Sequence, residues 1–268
     1  MRTHAPRFVA LGDSFTEGLQ DEVGPDGRHL GWADRVADAL AAHHGRVAYA
    51  NLAVRGRLLD EVITEQIPVC LGMAPDLVSF HAGGNDVLRP GVDLDRLATA
   101  YDRGVGTLRT TGAEVVLFTV LEGGGRTGRL ARRLSAHIAR FNEVVVRPAA
   151  ARHGARLVDV GGLPALHDPR FWHEDRLHLA PPGHRRIAAA VLEALEVGDE
   201  RSRGGPAGWW RTPLHPAPAP GRVAMLTDDL RWTRRHLAPW IARRLRGVSS
   251  GDAVRPKRPE PRPVPPAR

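Results

Sequence analysis

The first 200 residues alternate between two kinds of segment, which differ in how their apolar and polar positions are spaced. Short runs rich in β-branched and apolar residues predict five strands, at residues 7–11, 46–52, 76–81, 114–120 and 155–160. Longer stretches with apolar residues at helical spacing lie between and after them, at 32–43, 58–66, 94–110, 130–152 and 181–195. Strands and helices in this order predict an α/β fold, in which helices cover both faces of a parallel sheet.

The pattern changes after residue 198, together with composition and charge. Residues 201–268 hold 15 of the 38 basic residues, 4 of the 30 acidic residues and 12 of the 22 prolines, so the net charge of +8 originates here. We predict a globular domain over 1–198 and a disordered Pro/Arg-rich tail over 249–268. Between them, 199–248 is predicted as a Gly/Pro-rich linker and a basic amphipathic helix, with Leu230 and Ile241 facing the domain.

Other features of the chain narrow the class of protein. No apolar run reaches the roughly 18 residues of a membrane-spanning helix. The N-terminus has no apolar signal-peptide core, which predicts a cytoplasmic protein. Cys70 is the only cysteine, which excludes an intramolecular disulfide and a cysteine-based metal cage. The first loop has no Walker A or dinucleotide fingerprint, so nucleotide binding has no sequence support. No cofactor is expected, because protein groups can fill every role in the chemistry predicted below.

Four polar segments follow predicted strands or precede the last helix. They are Gly12-Asp13-Ser14, residues 51–56, Gly83-Gly84-Asn85-Asp86 and Asp175-Arg176-Leu177-His178. A serine hydroxyl becomes a good nucleophile when a base removes its proton, and His178 is suited to that task for Ser14. Asp175, three residues before His178, can orient the imidazole. These residues together predict an acyl-transfer site.

The same segments contain hydrogen-bond donors for the oxyanion that forms when an ester carbonyl is attacked. The candidates are the backbone N–H groups of Ser14 and Gly56 and the side-chain amide of Asn85. Because the carboxyl ends of parallel strands meet at one edge of a sheet, we expect these groups to converge there.

The four segments resemble the sequence blocks of the SGNH hydrolases, also called the GDSL family, which are named for a Ser, Gly, Asn and His. The resemblance covers about residues 7–197, with Phe15 where leucine often stands. It implies a three-layer flavodoxin-like α/β/α sandwich with a five-stranded parallel sheet. It also implies a nucleophile at Ser14, oxyanion donors at Gly56 and Asn85, a base at His178 and its acid at Asp175. The implied activity is that of an esterase, lipase, thioesterase or acyltransferase on a small-molecule ester.

Several other polar residues have alternative interpretations. His173-Glu174 suggests a zinc site, but the next histidine is His178, five residues on, where a zincin helix needs a spacing of four. We therefore predict no metal. Asp13 and Asp86 are expected to bind local backbone, and His81 and His184 to be structural. Reserve candidates for the triad acid are Asp159 and Asp168.

Two further functions remain open. Acyl transfer to an acceptor other than water would use the same catalytic residues. The basic segment 222–246 offers a contact with nucleic acid or an anionic membrane surface, which would weaken as salt increases.

Overall fold

The computed structural model describes residues 5–123, 129–217, 221–246 and 249–265. Its strands form one sheet with the order β5-β4-β3-β1-β2-β6. They are β1 (Arg7–Gly12), β2 (Val47–Asn51), β3 (Leu77–His81), β4 (Glu114–Phe118), β5 (Arg156–Val158) and β6 (Arg258–Val264). The first five strands run parallel. The predicted α/β fold with a parallel sheet is therefore confirmed.

Helices cover both faces of this sheet. One face carries α2 (Trp32–His44) and α7 (Pro181–Ala194). The other carries α3 (Leu59–Glu61, Val62–Gln66 and Ile67–Gly72), α5 (Leu94–Arg109) and α6 (Arg129–Phe141, Asn142–Val146 and Arg147–His153). Shorter pieces are α1 (Ser14–Glu17), α4 (Gly84–Val87), α8 (Glu200–Arg203) and 3-10 turns at Pro164–His167, Pro169–Phe171 and Trp209–Arg211.

Each face of the sheet buries its own apolar cluster. Fully buried aromatic residues dominate both, with Phe8, Trp32, Tyr49 and Phe118 on the α2 face and Phe80, Tyr101 and Phe141 on the α5 face. Burial of one such side chain stabilises the fold by roughly 1.5–3 kcal/mol. The strands are apolar on both sides because both sides are covered.

Three helices contain an internal proline, and each widens into a π-helical turn just before it. Two of them are α3 and α6; the third is α9, a helix after the domain that runs through Arg222–Trp232, Thr233–Leu237 and Ala238–Leu245. The pairs are Val62–Gln66 before Pro68, Asn142–Val146 before Pro148 and Thr233–Leu237 before Pro239. Proline lacks an N–H and its ring clashes with the carbonyl four residues earlier, and a π turn relieves both problems. The helices therefore continue through these prolines.

Strand β6 corrects the prediction of five strands and of a disordered tail over 249–268. It pairs antiparallel with the edge strand β2, with Val264 opposite Val47. Prolines occupy every second position, 259, 261 and 263. Alternate residues of an antiparallel strand direct their N–H groups to opposite sides, so an edge strand of this kind keeps its donors for β2. Residues 266–268 lie outside the described part of the chain.

The outer face of α9 also differs from the prediction. Leu230 and Ile241, expected to face the domain, are 63% and 43% exposed, and Val223 and Leu226 are exposed as well. The helix instead contacts the domain through polar groups and Trp232. Among the described residues, no helix is both long and apolar enough to span a membrane.

Candidate active site

The strand order creates a crevice between β1 and β3. Strand β1 pairs with β2 on one side and β3 on the other, so the chain leaves the carboxyl ends of β1 and β3 toward opposite faces. Ser14 begins α1 directly after β1, and Asn85 lies in α4 directly after β3. Residues 71 positions apart in sequence therefore lie at one sheet edge.

Ser14, His178 and Asp175 form a continuous chain of hydrogen bonds at this edge. Nε2 of His178 lies 3.1 Å from Oγ of Ser14. Nδ1 of the same ring lies 2.8 Å from Oδ2 of Asp175. This arrangement can take the hydroxyl proton at Nε2 while the carboxylate stabilises the resulting imidazolium.

Hydrogen bonds within the loop that carries Asp175 and His178 fix its conformation. The N–H of His173 donates to the carbonyl of His178 at 2.9 Å. Oδ1 of Asp175 accepts the backbone N–H groups of Leu177 and His178 at 2.9 and 3.0 Å. Burial raises the pKa of Asp175, but the hydrogen bond and charge of His178, aided by these N–H groups, outweigh it and hold that pKa well below its usual range. Asp175 is thus a carboxylate at neutral pH.

Asp13 connects the loop that carries Ser14 to Asn85. Its Oδ1 accepts the N–H of Phe15 at 3.0 Å, as expected for a residue that binds local backbone. Its Oδ2 accepts from Nδ2 of Asn85 at 3.1 Å, and the same amide donates to the carbonyl of Arg57 at 3.0 Å. The Asn85 amide is therefore fixed between the first polar segment and Arg57, the residue that follows the second. The ring of His81 packs on Phe15 at 4.3 Å.

Gly56 lies on the loop after β2 with φ of +77°, a conformation that favours glycine. A Cβ at this position would lie 2.4 Å from Oγ of Ser249, so the C-terminal segment packs directly on the loop. The neighbouring N–H of Arg55 donates to Oε2 of Glu17 at 2.7 Å, and the Arg55 guanidinium pairs with the same carboxylate. Sequence reasoning missed this pair, because no spacing relates an acid after β1 to an arginine after β2.

A cavity of about 440 Å³ opens beside Ser14 and His178. Ser14, Asn85 and His178 lie in its wall, whereas Gly56 lies against the C-terminal segment. Much of the remaining lining is apolar and comes from Phe15, Leu19, Leu88, Val120, Leu134, Ile138, Trp172 and Leu179. The cavity can therefore hold an apolar group bonded to a carbonyl at Ser14.

The other candidates have different partners. Asp86 accepts the N–H of Leu59 at 2.9 Å, and burial raises its pKa to about 6. His184 is fully buried, with Nε2 3.2 Å from the carbonyl of Leu19, and burial lowers its pKa to about 4. Asp159 binds Thr119 and Arg147, and Asp168 binds Arg170, so neither reserve acid contacts His178.

His173, the residue of the zinc interpretation, lies on the loop that carries Asp175 and His178. Its Nδ1 accepts the backbone N–H of Asp175 at 3.3 Å. In the part of the chain that the structure describes, no three His, Cys, Asp or Glu side chains are grouped to hold a metal ion.

Comparison with known proteins agrees with this geometry. A model of the GDSL-like lipase/acylhydrolase family matches residues 10–186, which include all four polar segments. The chain belongs to this family. It is therefore a GDSL-type esterase, an enzyme that acts on ester bonds. An arylesterase of Vibrio mimicus is 23% identical over 193 residues, which are 70% of this chain and 88% of that protein.

Solved structures with the same fold cover nearly three quarters of this GDSL esterase. LAE5, an alpha/beta hydrolase enzyme from the metagenome of Lake Arreo in Spain, is 24% identical with a TM-score of 0.59, over 72% of this chain and 97% of its own. Axe2, an acetylxylan esterase from Geobacillus stearothermophilus, is 20% identical with a TM-score of 0.58, over 73% and 96%. The family match ends at residue 186, so α9 and β6 lie outside it.

Proposed function

We propose that this GDSL esterase cleaves carboxylic esters through an acyl-enzyme on Ser14, with His178 as general base and acid and Asp175 as its partner. The observation that carries the proposal is the hydrogen-bond chain from Ser14 Oγ through His178 to Asp175, with distances of 3.1 and 2.8 Å, in the wall of the apolar cavity.

The proposed reaction has two halves. Nε2 of His178 takes the Ser14 proton as Oγ attacks the ester carbonyl, and then gives that proton to the departing alkoxide. Water next attacks the acyl-enzyme, loses a proton to Nε2, and the acid leaves as the proton returns to Ser14 Oγ. Asp175 stays ionised throughout and stabilises the imidazolium.

The proposed oxyanion donors are the N–H groups of Ser14 and Gly56 and the amide of Asn85. The Asn85 amide already donates to Asp13 and to the Arg57 carbonyl. To serve the oxyanion, it exchanges one of these bonds for the developing charge. Such an exchange gains more in the transition state than in the ground state, because the oxyanion accepts a stronger hydrogen bond than the neutral carbonyl.

The cavity supports esters with a short or medium acyl group as substrates. Its volume of about 440 Å³ and its apolar wall suit a chain of several carbons. The acetyl ester named for Axe2 falls in this range, and a thioester places the same carbonyl at Ser14.

The proposal is tested with a panel of chromogenic esters and thioesters of increasing acyl length. Ser14→Ala should lower kcat by roughly 10⁴-fold or more with an unchanged fold. The matched control is Ser202→Ala, an exposed serine outside the family match. A serine-directed phosphonate should label Ser14 alone. Turnover that survives Ser14→Ala would remove the proposed mechanism.

A further inference from the structure

Helix α9 contacts the loop that carries His178 and Asp175. Nε1 of Trp232 donates to the backbone carbonyl of Asp175 at 2.8 Å. The next residue, Arg176, extends its guanidinium to Asp228 and Asp229, with one nitrogen 2.6 Å from each carboxylate. The same guanidinium lies 5.2 Å above the Trp232 ring. Three side chains of α9 thus bind two consecutive residues of the triad loop.

The triad loop needs external support because its own backbone is strained. Arg176 has φ of +55°, in the left-handed region that residues with a Cβ avoid. A backbone held in such a conformation relaxes unless its surroundings determine it. The Asp175 carboxylate is tied to this backbone through the N–H groups of Leu177 and His178. Any shift of the backbone at 175–176 therefore moves the carboxylate relative to the His178 ring.

We propose that α9 is a positioning clamp for the catalytic loop: Trp232, with Asp228 and Asp229, holds Asp175 and His178 in line with Ser14. This inference rests on the proposed function of those three residues. It assigns a role to a segment outside the family match, and it makes Trp232 a positioning residue that acts through Asp175.

The polar, largely exposed contact between α9 and the loop predicts that the clamp affects activity more than stability. Asp228 and Asp229 are 61% and 51% exposed, and ion pairs of this kind contribute little to stability. The large apolar side chains at Val223, Leu226 and Leu230 face solvent. Loss of the clamp should therefore change the geometry of the site, and thus kcat, far more than the melting temperature.

The first test replaces Trp232 by Phe in the full chain, which keeps an aromatic ring near Arg176 and removes the N–H donor. The matched control is Trp209→Phe, because Nε1 of Trp209 also donates to a backbone carbonyl, that of Arg203 at 2.7 Å, away from the site. We expect kcat to fall about tenfold in Trp232→Phe, with KM unchanged, and to stay at the wild-type value in Trp209→Phe. Phosphonate labelling of Ser14 should slow by the same factor.

A second variant keeps the test valid if Trp232→Phe does not fold. Asp228→Asn with Asp229→Asn removes both charges that hold Arg176, at surface positions that tolerate the change. We expect a smaller fall in kcat, about threefold, and a wild-type rate that approaches the variant's at high salt, where exposed ion pairs are screened. The clamp is overturned if both variants retain the wild-type kcat, or if Trp209→Phe loses as much as Trp232→Phe.

Hydrogen exchange separates failure of the clamp from failure of the proposed function. The N–H groups of Leu177 and His178 should exchange faster in Trp232→Phe than in wild type, whatever reaction the site performs. Full turnover in Ser14→Ala would overturn the mechanism and leave this measurement interpretable. Unchanged exchange at residues 177 and 178 would overturn the clamp.

Discussion

The domain up to α7 and helix α9 are held by different interactions. Strands β1–β5 and their helices bury aromatic and aliphatic side chains in two clusters. By contrast, α9 exposes Val223, Leu226, Leu230 and Ile241 and only partly buries Trp232, Leu237 and Trp240. Its polar contacts with the domain include the Trp232 N–H and the carboxylates of Asp228 and Asp229. Apolar burial is strong but undirected, whereas hydrogen bonds and ion pairs are weak and directional. We therefore expect the domain to account for most of the stability, and α9 to position the loop that carries Asp175 and His178.

The largest effect should come from Asp175, the proposed partner of His178, in the domain. Asp175→Asn should lower kcat by about 10⁴-fold, because the amide favours the wrong histidine tautomer and cannot stabilise the imidazolium. The control is Asp159→Asn, which removes the charge from the reserve acid that binds Arg147. Turnover is measured with the preferred ester. An equal loss in both variants would mean that charge near the sheet edge matters and not the bond to His178.

Removal of β6 should have the next largest effect, although it lies in the C-terminal region. Deletion of 255–268 exposes the edge of β2 and leaves Asp34 without Lys257, whose ammonium lies beside it in a buried pair. Breaking such a pair typically costs about 3–5 kcal/mol. A fall of about 4 kcal/mol in the free energy of unfolding is expected from denaturant titration. An unchanged value would place β6 with α9 as a weakly attached segment.

Lys257→Met removes the ion pair with Asp34 but keeps strand β6, and its effect on the free energy of unfolding should depend on pH. Burial raises the pKa of Asp34 to about 6, even though Lys257 lowers it. The folded state thus binds more protons than the unfolded state between about pH 4 and 6, so Asp34 lowers stability as pH rises through that window. Without Lys257 the decline should extend to higher pH. The loss of stability should therefore be larger at pH 8 than at pH 5, and equal losses would contradict the assignment.

Identical substitutions in α7 and α9 compare the two regions directly. Leu192 is 1% exposed and Leu230 is 63% exposed. Leu192→Ala should lower the free energy of unfolding by about 3 kcal/mol, through lost burial and a cavity. Leu230→Ala should change it by less than about 0.5 kcal/mol. Similar losses at both positions would show that the outer face of α9 is covered in solution.

Asn85→Ala should have an effect of about 10²-fold on kcat with little change in KM, as expected for a donor used mainly in the transition state. The steady-state constants are measured beside those of Trp232→Phe. Since the clamp acts only through the triad loop, the smaller loss should occur in Trp232→Phe. An increase in KM at constant kcat would instead make Asn85 a residue that binds the ground state.

Much of the fold could be predicted because its signals are local. The alternation of apolar runs and helical spacing predicted the parallel sheet, and the positions after β1 and β3 predicted where Ser14 and Asn85 would meet. The tail was harder to predict, because its prolines are typical of disorder when read alone. Only pairing with β2 reveals that alternate positions leave the N–H donors of β6 available.

The sequence by itself determined the α/β class, the four polar segments and the pairing of Asp175 with His178, since these depend on short spacings and on strand order. Only the tertiary structure decided that Glu17 binds Arg55, that Gly56 meets Ser249, and that Trp232 donates to the Asp175 carbonyl. These contacts join residues 38, 193 and 57 positions apart. No periodicity spans such intervals, and a backbone carbonyl or a surface carboxylate is chosen as a partner by where folding places it.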